Sequence, residues 1–198
     1  MAHEEVLGLR ERKKLESWRS IRAAGLRLIE ERGYEAVSVE EIAAAANVSR
    51  STLFNYFASK EAIVFDPDPQ QVQIWRSLMH ERPADEPLWS SLRAVFLGYV
   101  ATFSDRIVVQ KRLKAASPAL AASARDHSER FIADLREWVA SRTPAGQEAR
   151  STLLLNVAAA VTATAYTMWS PDDGFERLLE LARDNFAQTT HGLGPARD

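Results

Sequence analysis

The sequence predicts an all-α protein of nine helices, and three observations carry that prediction. Gly and Pro number only eight each in 198 residues while Ala is abundant, a composition that favours helix. Apolar residues recur at steps of three and four along most of the chain, the period of a helix with one buried face. No segment alternates apolar with polar residues as a half-buried strand does, and no hairpin signal or internal repeat is present in the sequence.

The first helix is expected over 15–32, where Trp18, Ile21, Gly25 and Leu28 share a face with Ala24 beside them, and Gly33 stops it. Ser38 followed by Glu41 has the spacing of a capping box and opens the second helix, which runs to Ala46. Asn47 breaks it, because Asn tolerates the left-handed backbone of a tight turn. Ser49 caps a third short helix from Arg50 to about Phe57, with Leu53, Phe54 and Phe57 expected to anchor it to the core. Ser59 caps a fourth, kinked where Asp66-Pro67-Asp68-Pro69 cannot continue a regular helix.

Five more follow. Leu88, Leu92, Val95, Phe96, Tyr99 and Phe103 line a fifth, and a sixth spans about 105–116. A long seventh starting at Pro118 carries Leu120, Ala124, His127, Phe131, Leu135 and Trp138. The last two occupy about 147–169 and 173–190.

Composition excludes several classes. Formal net charge is −2, with 46% hydrophobic and 26% charged residues, ordinary for a soluble globular protein and unlike a disordered, collagen-like or histone-like chain. The chain has no Cys, hence no disulfide framework, thiolate metal site or Cys nucleophile. The first twenty residues are charged, with no apolar core of a secretory signal, so a cytoplasmic location is expected. Ser151 to Pro171 carries no charge for 21 residues, but it is Ala- and Thr-rich, and a buried bundle helix is expected there rather than a membrane span.

Charge is distributed unevenly on a local scale. Arg10, Arg12, Lys13, Lys14, Arg19 and Arg22 place six cations within thirteen residues; such a cluster either contacts phosphates or is a solvated helix face. Three short helices in 15–57, the last two joined by a four-residue turn, have helix-turn-helix proportions. The second helix of that pair would read the major groove with its N-terminal side chains. Those are Ser49, Arg50, Ser51 and Thr52, short hydroxyls and one guanidinium suited to base edges and phosphates. Asn55 and Tyr56 could face DNA as well. Lys60 sits at the start of the next helix, where backbone N–H groups and the helix dipole favour a phosphate.

Residues 15–65 resemble the DNA-binding domain of the TetR family of bacterial transcriptional regulators. The matching stretches are Ile29-Glu30-Glu31-Arg32-Gly33-Tyr34, Ser38-Val39-Glu40-Glu41-Ile42-Ala43, Val48-Ser49-Arg50-Ser51-Thr52-Leu53-Phe54 and Tyr56-Phe57-Ala58-Ser59-Lys60-Glu61. Two positions depart from the family pattern: Asn47 where Gly is usual, and Phe54 where Tyr is common, which removes a phosphate-binding hydroxyl. The resemblance implies a DNA-binding domain over 1–59 with a basic N-terminal arm, and a ligand-binding and dimerisation domain over 60–198. It implies a homodimeric repressor, released from a palindromic double-stranded DNA operator by a small-molecule inducer, with no cofactor and no membrane partner. Its DNA-contacting residues would be Arg12, Lys13, Lys14, Ser38, Ser49, Arg50, Ser51, Thr52, Asn55, Tyr56 and Lys60.

Members of the family usually pair their last two helices with those of a second copy. Here that implies an interface of Ala158, Val161, Ala165, Phe175, Leu178, Leu179, Ala182 and Phe186, an apolar stripe that could equally build the chain's own core. A ligand cavity needs aromatics with interspersed polar groups; Trp75, Met79, Phe96, Tyr99, Phe103, His127, Phe131, Asn156 and Tyr166 supply that mixture, each open to a plain core role as well. Gly8-Leu9-Arg10-Glu11-Arg12-Lys13-Lys14 and Ser51 to Lys60 resemble a TetR subgroup similar to binders of acyl-CoA-like ligands, so the inducer is expected to be small and hydrophobic or acyl-type. Arg106, Lys111, Arg112 and Lys114 then either face a nucleotide phosphate or form a solvated face.

An enzyme is the remote alternative: the sequence has no nucleophile elbow, phosphate-cradling Gly loop, or His pair at metal spacing. A ligand-sensing regulator acting as an activator is the nearer one.

Overall fold

A computed structural model describes residues 8–127 and 129–192. All regular structure among them is helical. The order is α1 (Leu9–Arg32), α2 (Val39–Ala45), α3 (Arg50–Phe54), α4 (Lys60–Phe65), α5 (Pro69–His80), α6 (Leu88–Ala101), α7 (Ser104–Ala116), α8 (Pro118–His127), α9 (Glu129–Arg142), α10 (Glu148–Met168) and α11 (Phe175–His191), with one 3-10 turn at Pro171–Asp173. The class is all-α as the sequence predicts, but the described helices number eleven rather than nine.

The two extra helices have separate origins. Asp66 adopts φ −55°, ψ 136°, the extended backbone that a following proline imposes, so the kinked fourth helix is two helices, α4 and α5. The periodicity from Pro118 to Trp138 likewise divides into α8 and α9. Here the helices pack in different places: α8 lies against α4, and α9 against α10. A further difference is at the start. The basic stretch expected as an arm is the first two turns of α1, because Leu, Arg, Glu and Lys are strong helix formers and nothing between Gly8 and Leu15 breaks them.

The chain divides into two compact units. One runs up to Pro69 and includes Arg112–His127; the other comprises Gln70–Lys111 and the residues after His127.

In the first unit α1 packs on α2 and α4. Ile21, Ile42, Leu53 and Ile63 are fully buried, with Ile29 and Phe57 nearly so. Gly25 permits that approach: a Cβ there would lie 2.7 Å from Ile63 and 3.3 Å from Ile42.

In the second unit α10 packs on α11, α6 and α9. Its core is aromatic. Tyr99 stacks on Phe131 at 3.5 Å between ring centroids, and Trp75 and Phe96 meet Phe131 edge-on at 5.6 and 5.5 Å. The α10 segment is the one described helix long and apolar enough to cross a membrane; its Leu155, Ala158, Val161 and Ala165 face is buried within the unit.

Candidate nucleic-acid interface

The site is built by caps before it is built by packing. Ser38 and Glu41 form the reciprocal capping box expected of them, at 2.8 Å and 3.2 Å. The two Ser38 hydrogen bonds, with Arg32 beside them, pull the Glu41 carboxyl from its ordinary 4.5 down to about 2. Asn47 takes φ +54°, the left-handed turn that lets α3 follow α2 at once. Ser49 then accepts from the Thr52 N–H at 3.0 Å and caps α3. Its hydroxyl also contacts those of Ser51 and Thr52, both at 2.8 Å.

Two residues hold α3 from behind. Leu53 is fully buried, and Phe57, just past the helix, meets Trp18 of α1 at 5.2 Å between ring centroids. The opposite surface is exposed and carries Ser49, Arg50, Ser51 and Asn55, with Thr52 and Tyr56 half-buried at its margin. Those are the side chains the sequence assigns to DNA.

Phe54 differs from its expected role as a core anchor: it is 41% exposed. With Leu53 turned into the core, the next residue on a helix lies about 100° around the axis, and at the outer edge of this unit that direction is solvent. The Arg50 guanidinium lies 5.4 Å from the Phe54 ring centroid, and Arg50 Nε pairs with Glu40 of α2 at 3.0 Å. Nothing in the sequence pattern marks Glu40, and the pattern points Phe54 inward. The signal for Phe54 was the Tyr usual at its position, a residue with a polar end to expose.

The cations separate into two groups. Arg12, Lys13 and Lys14 stand exposed on the first turns of α1. Arg19 and Arg22 are committed elsewhere: Arg19 pairs with Asp68 at 2.8 Å, and the buried Arg22 guanidinium donates to the Val64 and Asp66 carbonyls at the end of α4. Lys60 is half-buried, donates to the Tyr34 carbonyl and sits 3.9 Å over the Tyr34 ring. Burial lowers its pKa. Tyr34 in turn donates to Glu61. Lys60 thus buttresses the loop after α1.

Apart from His127, which belongs to the first unit, the residues expected to bind a ligand lie in the second unit but do not line one open space. Trp75, Met79, Phe96 and Phe131 are buried with Tyr99 half-buried against them, while Phe103 is half-buried beside Tyr99 and packs on a second cluster that includes Val100 and Ile107. Trp75 Nε1 donates to Asp134 at 2.9 Å, and Arg76 makes two bonds to the same carboxylate, holding it below the usual range. Asn156 is exposed and Tyr166 half-buried; the His127 side chain lies outside the described residues. A groove of about 820 Å³ opens between α5 and α9, lined by Arg76, Met79, His80, Asp134, Trp138 and Arg142 among others. Of the ligand residues read from sequence, it includes Met79.

Lys111 is half-buried rather than on a solvated face. Its amine donates to the Tyr166 and Trp169 carbonyls at the end of α10, where cations are favoured by the helix dipole.

The stripe expected to meet a second copy is occupied within the chain. Ala158, Ala165, Ala182 and Phe186 are fully buried and Leu178 is 1% exposed; Val161 and Leu179 are buried, and Phe175 half-buried. The outward face of α10 instead carries Leu153, Ala160, Thr164 and Met168, with Leu153 61% and Met168 71% exposed.

The pattern of the tetR family of bacterial regulatory proteins matches residues 21–66. Across its whole length the chain is 26% identical to MftR, the Mycobacterium tuberculosis transcriptional regulator assigned to mycofactocin biosynthesis, covering 94% of that protein. Its fold is similar to that of the fatty acid degradation regulator FadR from Bacillus halodurans, with a TM-score of 0.57 and 19% identity over 89% of this chain and 96% of that one. It is similar as well to FadR from Bacillus subtilis, solved in complex with stearoyl-CoA, with a TM-score of 0.57 and 17% identity over 89% of this chain and all of the other.

Proposed function

We propose, from the premise that this chain belongs to the TetR family of bacterial regulatory proteins, that it is a homodimeric repressor that leaves a palindromic operator when a small molecule binds its second unit. A member of this family is a transcriptional regulator, not an enzyme. The observation that carries the proposal is the outward surface of α3: a capped helix, held from behind by Leu53 and Phe57, with hydroxyls, an amide and one guanidinium exposed at major-groove spacing. Ser38, Ser49, Arg50, Ser51, Thr52, Asn55 and Tyr56 make the contacts, with Arg12, Lys13 and Lys14 on phosphates. Lys60 contributes by fixing the Tyr34 loop.

Two copies are needed to read two half-sites one helical turn apart, roughly 34–36 Å. The surface that joins them is the outward face of α10, where Leu153 and Met168 are the large apolar side chains in solvent.

The inducer is small and hydrophobic or acyl-type. Supporting this are the ring cluster around Trp75, the groove beside Met79, and the fold shared with a regulator that holds stearoyl-CoA. It acts in the cytoplasm, since its partner is chromosomal DNA.

The test is a mobility-shift titration with duplex DNA from upstream of the protein's own gene. Wild-type protein gives a discrete complex, acyl-CoA compounds of graded chain length release it, and Arg50→Ala weakens it by about 1–3 kcal/mol. A complex equally strong with unrelated DNA, and untouched by Arg50→Ala, overturns the assignment of α3. Transcription from that promoter rises on deletion of the gene if the protein represses, and falls if it activates.

A further inference from the structure

Three side chains from two helices form a continuous strip on the outer surface of the first unit. Glu40 comes from α2, and Arg50 and Phe54 lie one turn apart on α3. Arg50 Nε is 3.0 Å from Glu40 Oε1, and its guanidinium carbon is 5.4 Å from the Phe54 ring centroid. None of the three is part of the core: the Arg50 and Glu40 side chains are 66% and 61% exposed, and Phe54 is 41% exposed. A phenyl ring 41% exposed beside the groove-facing residues, with no hydroxyl for phosphate, suits an apolar surface on a DNA partner. In the major groove the apolar feature is the thymine methyl.

We propose that Glu40, Arg50 and Phe54 act as one sequence-reading unit, in which Arg50 takes a guanine edge and Phe54 takes the methyl of a neighbouring thymine. The inference rests on the DNA-binding reading above and adds to it a base pair step and a positioning residue. A guanidinium carries five donors on a rigid fork. The ion pair to Glu40 engages Nε, and the terminal nitrogens are the pair that can bridge O6 and N7 of guanine. The Phe54 ring limits the other side, so the fork is oriented before DNA arrives. Glu40 also has a negative role. A carboxylate beside the groove repels phosphate and competes for Arg50, so a duplex without guanine in register gains less from binding. Specificity is a difference of affinities, and Glu40 acts on the weaker member of that difference.

The experiment begins with duplexes selected by the wild-type protein from a randomised pool. Each thymine of the selected sequence is then replaced by uracil, which removes only the methyl group and requires no protein variant. The wild-type protein is expected to lose roughly fourfold in affinity at one position in each half-site, the worth of burying one methyl group. Phe54→Ala should bind the thymine and uracil duplexes alike at that position. Glu40→Gln should keep the selected sequence but bind random duplexes about five- to tenfold more tightly at about 0.1 M salt, the effect of one more phosphate contact.

Uracil replacement without effect at every position overturns the role of Phe54. Unchanged affinity of Glu40→Gln for random duplexes overturns the role of Glu40. Both results leave the DNA-binding reading standing. A pool from which no duplex is enriched overturns that reading and this inference together.

Discussion

Helices α3 and α11 divide their apolar residues in opposite ways. α3 is five residues long, buries Leu53 and leaves Phe54 in solvent. α11 is seventeen residues long and buries Leu178, Leu179, Ala182 and Phe186. An isolated helix shorter than about 12–15 residues is marginal in water, so α3 exists because its surroundings impose it: the Asn47 turn, the Ser49 cap, and two side chains lodged against the core. α11 is held by buried area along its length. A helix fixed by caps and two anchors keeps most of its surface available for another molecule. A helix fixed by a full stripe has already used that surface within its own chain.

The largest effect is expected in the α11 stripe. Phe186 is fully buried against Trp89 and Phe96, so Phe186→Ala should cost about 3–5 kcal/mol, read as a lower urea midpoint. Ser49→Ala removes the cap of α3 and should cost about 0.5–2 kcal/mol. Because that cap is one of few restraints on α3, its operator affinity should fall while urea unfolding of the second unit is unchanged.

A smaller effect comes from pH. The folded Glu41 carboxyl, near 2, lies below its ordinary 4.5, so its contribution is fully present above about pH 4.5 and is lost as pH falls towards 2. Wild type should therefore lose its stability advantage over Glu41→Gln across that window, measured by helicity during denaturation at successive pH values.

The smallest effect on stability is expected on the outer face of α10. Leu153→Glu with Met168→Glu should change unfolding within about 0.5 kcal/mol yet give a monomer by light scattering. Dimers that persist in this variant would place the interface elsewhere.

The same contrast explains what could be read from sequence. Turn and cap signals are local: Ser38 with Glu41, Asn47, Ser49 and Gly33 each act within a few residues, and each appears where the sequence puts it. An apolar stripe says only that a face is covered, and not by what. The α11 stripe reads equally as dimer interface and as core, and Leu178 and Phe186 turn out to lie within their own unit. Trp75, Phe96 and Phe131 have a ligand site's composition, but only tertiary packing reveals that they fill the space between one another. The division at Pro118 to Trp138 was hidden for a like reason, since one unbroken period serves two helices packed in different units. A phenyl ring is ordinarily interior, so the sequence points Phe54 inward; the exception sits on the exposed surface of α3 proposed to meet DNA.

If α3 of each of two copies lies in the major groove of one duplex, a cleaving probe attached beside α3 cuts that duplex at two places. The chain lacks cysteine, so Ala58→Cys, at an exposed position just beyond α3, gives a single attachment point for an iron-chelate DNA-cleaving probe. On an end-labelled duplex selected by the protein, two narrow clusters of cleavage are expected, symmetric about the centre and one helical turn apart, about 10 base pairs. Cleavage spread evenly along the duplex, or confined to a single cluster, would contradict it.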